Sequence, residues 1–300
     1  MFIRELFRKT GPVISFEVFP PKADAPVESV YRTIEALKDL SPGFISVTYG
    51  AGGSSRDRTV EIASRIRNTF GIEALAHLTC RSHTPQEIDD ICEELLEEGV
   101  QNILALRGDP QPGEEENRER SFSYACDLVS YLRRNHFGDF CIGGAAYPEG
   151  HVECSDPATD LEFLKRKVDA GADFLMTQLF FDNDLFYRFR DAADKEGIRV
   201  PLVAGIFPVL NARQVQRIVS LCGASLPPRF TRIMARYTNA PEALAEAGVA
   251  YATDQVVDLL TSGVDGIHLY TMNRPETTRR IMENIALIRK TESPEGSVNG

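Results

Sequence analysis

The feature that most constrains this chain is a repeat. Eight short apolar runs alternate with longer stretches whose apolar residues follow helical spacing, along most of the 300 residues. Such alternation is the sequence form of repeated βα units. The strands are predicted near residues 13–19, 43–49, 73–79, 100–106, 140–146, 173–178, 201–206 and 265–270. No insertion between them is large enough to be a second domain, and eight is the number of strands at which such a sheet closes. The expected fold is therefore α/β, a single (β/α)8 barrel, with a doubly wound open sheet as the rival. The barrel is expected over 1–290 and a frayed tail over 291–300, with extra helical material between Asn211 and Ser262 before the last strand.

Local signals agree with this division. Thr84-Pro85-Gln86-Glu87 offers a cap, a proline at the first helical position and an early acid. Asp156-Pro157 and Arg274-Pro275 open two further helices in the same way, while Ala170-Gly171 and Ser262-Gly263 close helices just before strands six and eight. The longest irregular connection runs from Arg107 to about Arg120, past strand four, and a loop of that length is usually functional or mobile.

Composition removes several classes of partner. A net charge of −11 without a basic run argues against a nucleic-acid partner, whose phosphates need clustered Lys and Arg. No segment approaches the continuous apolar length of a membrane span, and the N-terminus lacks a secretory pattern, so a cytoplasmic protein is expected. The six cysteines are scattered singly, as expected of free thiols.

In a barrel, alternate strand residues point inward, and the C-terminal ends of the strands carry the chemistry. Those ends turn polar here. Strand one supplies Ser15 and Glu17, strand two Ser46 and Thr48, strand three His77 and Thr79, strand eight His268 and Tyr270. Strand six ends in Gln178; Arg107 and Asp109 follow strand four, and Tyr147 and His151 follow strand five. One such residue is more often a satisfied core group than a ligand, but seven strand ends together point to a site. Glu17 and Asp109, if inside the barrel, need cations or a ligand, and Arg107 and Arg274 are the candidates. A structural ion-pair network is the alternative.

Some chemistries have no residues to carry them. Strand one has no H-x-H and the histidines are dispersed, so no catalytic metal is expected. No predicted strand ends in lysine, against a Schiff-base enzyme. Neither a P-loop nor a Rossmann fingerprint follows a strand, and Gly50-Ala51-Gly52-Gly53-Ser54 after strand two serves a tight turn as well as a ligand.

Taken in order, these strand ends resemble the methylenetetrahydrofolate reductase family over nearly the whole chain. The resemblance rests on Ser15-Phe16-Glu17-Val18-Phe19-Pro20-Pro21-Lys22, Val47-Thr48-Tyr49-Gly50-Ala51-Gly52-Gly53, His77-Leu78-Thr79-Cys80 and Ala105-Leu106-Arg107-Gly108-Asp109-Pro110. It continues through Ala145-Ala146-Tyr147-Pro148-Glu149-Gly150-His151, Thr177-Gln178-Leu179-Phe180-Phe181-Asp182 and Tyr270-Thr271-Met272-Asn273-Arg274.

The resemblance implies reduction of 5,10-methylenetetrahydrofolate to 5-methyltetrahydrofolate, in one-carbon metabolism and methionine supply. It implies noncovalent FAD, NADH or NADPH as reductant, and ping-pong hydride transfer. It implies that Thr48, Tyr49, His77, Arg107, Gly108, Asp109, Tyr124, Ala125, Tyr147, His151, Asp160 and Lys167 hold FAD. Gln178, Gln214, Tyr270 and Arg274 would contact folate or nicotinamide, and Glu17 and Asp109 would be the catalytic, substrate-contacting carboxylates. Glu17 would protonate the substrate nitrogen so that its ring opens, directly or through water, which requires that it hold a proton near neutrality. Asp109 would favour the cationic iminium.

Two departures are visible. Pro110-Gln111-Pro112 alters the loop, and Ile218 stands where some members place an aromatic that stacks on substrate. The chain is also expected to lack the C-terminal regulatory domain of eukaryotic members. A flavin-free pterin-binding one-carbon transferase and a noncatalytic folate-binding barrel remain the alternative functions. The sequence leaves open NADH against NADPH, a protein electron donor, and homo-oligomer formation.

Overall fold

The computed structural model describes all residues except 10, 22–24, 50–54, 82, 110–120, 137 and 292–300, with the backbone alone for 55–57. A 3-10 helix, Ile3–Arg8, precedes β1 (Val13–Val18), and the chain then alternates α1 (Glu28–Lys38), β2 (Phe44–Val47), α2 (Ser55–Asn68), β3 (Glu73–Thr79), α3 (Pro85–Glu97) and β4 (Asn102–Leu106). It continues through α4 (Ala125–Asn135), β5 (Cys141–Ala146), α5 (Pro157–Asp169), β6 (Phe174–Thr177), α6 (Asn183–Lys195) and β7 (Leu202–Ile206). Three helices, α7 (Ala212–Cys222), α8 (Pro228–Tyr237) and α9 (Pro241–Thr261), separate β7 from β8 (Gly266–Tyr270), and α10 (Pro275–Asn284) and α11 (Ala286–Thr291) follow. The strands are parallel and pair in sequence order, and β1 closes on β8 with Ser15 opposite His268 and Glu17 opposite Tyr270. The barrel is thus closed, and the open-sheet alternative is excluded.

Of the three helices before β8, α9 packs against α6, β7 and α10 and is the outer helix of the seventh unit. The other two are the additions. At the far end of α7, Ser225 N–H donates to Glu149 Oε2 at 2.9 Å, tying this region to the loop after β5. Gly248 permits the tight seat of α9: a Cβ there would lie 1.7 Å from the Val209 carbonyl oxygen.

Helix starts follow the capping chemistry expected. Thr84 and Glu87 form a reciprocal capping box, and Asp156 accepts from Thr159 N–H at 3.0 Å. Arg274 caps α10 by position alone, without a side-chain bond. The tail expected over 291–300 lies, apart from Thr291, outside the described residues, as do the glycine run at 50–54 and most of the loop after β4.

The interior of the barrel is layered. At the N-terminal end, Val13, Phe44, Leu75, Leu104, Phe174 and Val203 form an apolar layer plugged from below by Ile3 and Leu6. Above it lies a polar layer whose members satisfy one another: Ser15 Oγ is 2.8 Å from His268 Nδ1, and Ser46 Oγ is 3.2 Å from His268 Nε2. Left unpaired, each such buried group would cost about 1–3 kcal/mol. The outer apolar core, including Phe16, Val18, Ile34 and Ile45, sits between strands and helices. This arrangement reserves the C-terminal end of the barrel for polar side chains.

Candidate active site

Glu17 stands above the serine–histidine layer at the end of β1, its side chain 16% exposed. Its Oε2 lies 3.7 Å from both His77 Nε2 and His268 Nε2. Two imidazoles, rather than the arginines expected, are therefore its nearest basic neighbours. Arg107 instead forms a two-pronged pair with Glu153, at 2.5 and 2.9 Å, and Arg274 is exposed with no ion pair among the described residues. Asp109 is also exposed, so water solvates it and no buried counter-charge is required.

The environment sets the protonation of His77. Burial pushes its pKa down to about 4, opposed by the nearby Glu17 carboxylate and assisted by His268. At neutral pH it is a neutral imidazole, and its Nε2 is buried with no hydrogen-bond partner among the described residues. A buried, unpaired ring nitrogen at the mouth of a barrel is a place for a ligand's polar atom.

Tyr270, from β8, faces the same space. Its hydroxyl donates to the Thr177 carbonyl at 3.0 Å, and burial raises its pKa well above the usual phenol value. Gly205 makes room for it, since a Cβ there would come within 2.9 Å of the Tyr270 ring and 2.4 Å of the Thr177 oxygen. The loop after β8 is fastened to β1: Thr271 Oγ1 donates to the Glu17 carbonyl at 2.5 Å, and Asn273 bonds both the N–H and the carbonyl of Phe19. Met272 and Asn273 both hold a φ of 52°, a strained pair kept in place by these bonds.

Beside this pocket, between the ends of β4 and β5 and the starts of α4 and α5, lies a cleft of about 510 Å³. Its walls include Arg107, Tyr124, Ala125, Tyr147, His151, Asp160 and Lys167, seven of the residues assigned to FAD by resemblance. Helical spacing explains part of this convergence: Asp160, Phe163, Leu164 and Lys167 share one face of α5. Tyr124 stacks on Phe163 with ring centroids 5.3 Å apart, and Tyr147 meets His151 edge-on at 4.8 Å.

Burial lowers the Lys167 ammonium to about pKa 8, with Asp160 opposing, and raises the Tyr147 phenol to about 12. Lys167 Nζ donates to the Ala145 carbonyl, and its chain crosses β5 only because Gly144 has no Cβ. Burial also lowers the His151 pKa, with Arg107 adding to the effect, and raises that of Asp160.

The remaining candidates lie around these two centres. Thr48 and Tyr49 follow β2, where Tyr49 Oη is 2.9 Å from His83 Nε2. Gly108 turns the chain out of β4 with a φ of 88°. Gln178 follows β6, its Oε1 accepting from Leu179 N–H at 2.9 Å. Gln214 has a structural task that the sequence reading did not foresee: its Oε1 accepts from Leu210 and Asn211 N–H groups as part of the α7 capping box. Ile218 is buried with Leu179, Phe181 and Phe207.

Three residues of the site were missed from sequence. His268 was noted as polar but given no part in supporting Glu17, because its neighbours come from β1, β2 and β3. Glu153 and Phe163 were not assigned, although each had a signal: Glu153 is two residues past His151, and Phe163 shares the α5 face of Asp160 and Lys167.

A closed parallel barrel with a carboxylate between two imidazoles at its C-terminal mouth, beside a cleft of about 510 Å³ whose walls carry two cations, has the form of an enzyme. The comparisons with known proteins narrow this. The family model described as methylenetetrahydrofolate reductase matches residues 2–286, and the chain belongs to that family.

Among curated relatives, the 5,10-methylenetetrahydrofolate reductase of Pectobacterium carotovorum is 40% identical over 91% of this chain and 90% of its own length. The protein of the same name from Escherichia coli K12 is 38% identical over 91% and 90%. Methylenetetrahydrofolate reductase (NADH) 1 of Arabidopsis thaliana is 36% identical over 97% of this chain, which spans about half, 51%, of that longer protein. A solved structure of an uncharacterized Clostridium thermocellum protein that binds 5-methyl-5,6,7,8-tetrahydrofolic acid covers 96% of the chain and 99% of its own, with a TM-score of 0.65 and 13% identity, a likeness of fold alone. Among the described residues no helix is long and apolar enough to cross a membrane.

Proposed function

We propose that this chain reduces 5,10-methylenetetrahydrofolate to 5-methyltetrahydrofolate, using noncovalent FAD and either NADH or NADPH. The observation that carries the reading is the Glu17 carboxyl between His77 and His268 at the barrel mouth, next to the long cleft. Membership of the reductase family supports the substrate.

The cleft suits a flavin dinucleotide in its chemistry. Arg107 and Lys167 are the cations for a pyrophosphate in a chain whose sequence carries no Rossmann fingerprint, the stacked Tyr124 and Phe163 offer an aromatic wall, and the His77 Nε2, unpaired among the described residues, awaits a polar atom. When bound, FAD would supply two-electron transfer from the nicotinamide to the folate. The chain's own residues do the rest. Glu17 donates a proton to the substrate nitrogen so that its five-membered ring opens to an iminium, and the His77 and His268 imidazoles flank its carboxyl at 3.7 Å. Asp109, exposed at the rim after β4, contributes negative charge that favours the cationic iminium, and the Gln178 carboxamide can read the pterin amide edge. The exposed guanidinium of Arg274 is available for an anionic group of either substrate.

Purified protein is expected to be yellow and to release flavin on denaturation. A colourless protein that FAD cannot reconstitute would sink this reading and leave a flavin-free one-carbon transferase or a noncatalytic folate-binding barrel, which anaerobic NAD(P)H oxidation with folate would separate.

A further inference from the structure

The two-pronged contact between Arg107 and Glu153 occupies the guanidinium that the cofactor reading needs. Glu153 reaches both terminal nitrogens of Arg107, at 2.5 and 2.9 Å, inside the wall of the cleft. A guanidinium engaged in this way has its preferred fork for a phosphate already filled. We propose that Glu153 is an internal anionic competitor: its carboxylate holds Arg107 until a phosphate group of the dinucleotide displaces it, so that removing Glu153 tightens cofactor binding. The proposal rests on the FAD reading above and adds a residue that works against FAD.

Three observations favour competition over a supporting role. First, the partners differ in freedom. Arg107 is 21% exposed and leaves directly from the end of β4, whereas Glu153 is 51% exposed on the turn after β5. Glu153 is therefore the partner that can swing into water at little cost, since exposed ion pairs are weak. Second, the charge balance of the cleft is wrong for a polyphosphate while Glu153 points inward. Its walls carry two cations, Arg107 and Lys167, against three carboxylates, Glu153, Asp156 and Asp160. His151 does not redress this, because burial and Arg107 lower its pKa. Third, Glu153 is the one of the three carboxylates bonded to the arginine. Asp156 is committed to the α5 cap through Thr159, and Asp160 faces Lys167.

A carboxylate bonded side-on to a guanidinium has the shape and charge of half a phosphate contact. Glu153 thus fills the fork of Arg107 in the empty protein and repels the incoming anion once displaced. Both effects oppose binding, and both vanish when the carboxylate becomes a neutral amide.

The test is FAD titration of the flavin-depleted full chain, followed by quenching of flavin fluorescence, for the wild type, Glu153→Gln and Glu153→Ala. Both variants are expected to bind FAD about two- to fivefold more tightly, the scale of a partly exposed charge pair. The gain should shrink at high salt and be absent for riboflavin, which has no phosphate. Equal or weaker FAD binding by both variants would overturn the proposal and make Glu153 a positioning residue for Arg107. An equal gain for riboflavin would also overturn it, because the effect would then lie in the loop and not in phosphate recognition. If no protein takes up FAD at any concentration, it is the flavin reading itself that fails.

Discussion

Replacing Lys167 with methionine should make the flavin-free protein more stable while removing one of the two cations that line the cleft proposed for FAD. Burial lowers this lysine from its ordinary 10.5 to about 8. At about 1.4 kcal/mol per tenfold change, the fold disfavours the charged ammonium by about 3 kcal/mol. Methionine has a similar reach and no charge, but it forfeits the hydrogen bond from Nζ to the Ala145 carbonyl, worth roughly 1.5 kcal/mol for a charged donor. The difference leaves Lys167→Met about 1–2 kcal/mol more stable at pH 7. The advantage must depend on pH in one direction. Because the lysine pKa is lower in the folded protein, the unfolded chain binds more protons between about pH 8 and 10.5, and wild-type stability rises with pH through that window. The advantage of methionine should therefore be full below pH 8 and largely gone near pH 10.5. Urea unfolding of both proteins at pH 7 and pH 10 measures it, and FAD titration should show weakened binding alongside. A flavin-free Lys167→Met protein that is less stable at pH 7, or whose advantage is unchanged at pH 10, would refute the argument that burial of this charge is a cost held for function.

Other outcomes follow from single contacts. Glu17→Gln should leave FAD binding and oxidation of NAD(P)H by an artificial acceptor intact while lowering folate reduction by about 10²–10⁴-fold; equal loss of both half-reactions in stopped-flow would remove its role as acid. Gly248→Ala should destabilise by about 1–3 kcal/mol despite a helix-propensity gain of about 0.5–1, because the new Cβ would sit 1.7 Å from the Val209 oxygen, and a raised urea midpoint would show that α9 moves freely. His77, held neutral by burial with a pKa of about 4, lets the unfolded chain bind more protons between pH 6.5 and 4, so stability falls as pH drops through that range. In flavin-free His77→Asn that acid loss should be smaller in urea titrations, and an identical slope would count against the burial account.

Much of this molecule is written locally. The alternation of apolar runs with helical segments determined the number, order and type of the barrel elements, because strand and helix periods differ and each unit carries its own caps. Residue parity along single strands determined that Ser15, Glu17, Ser46 and His268 turn inward, and the order of the strand-end peptides carried the family. What the sequence could not determine is pairing across the barrel. The sequence offered Arg107 and Arg274 as cations for Glu17, and the nearest basic side chains come instead from β3 and β8, which meet it only when the sheet closes. Arg107 was read as a partner for carboxylates inside the barrel, yet Glu153 reaches it from the next strand's loop, 46 residues away. Gln214, a folate or nicotinamide contact by resemblance, also caps α7, and Ile218 packs into the core, because the orientation of an added helix depends on what it packs against. Patterns of period two and of about 3.6 are properties of a segment. The partner of a buried charge is a property of closure, and only the folded barrel decides it.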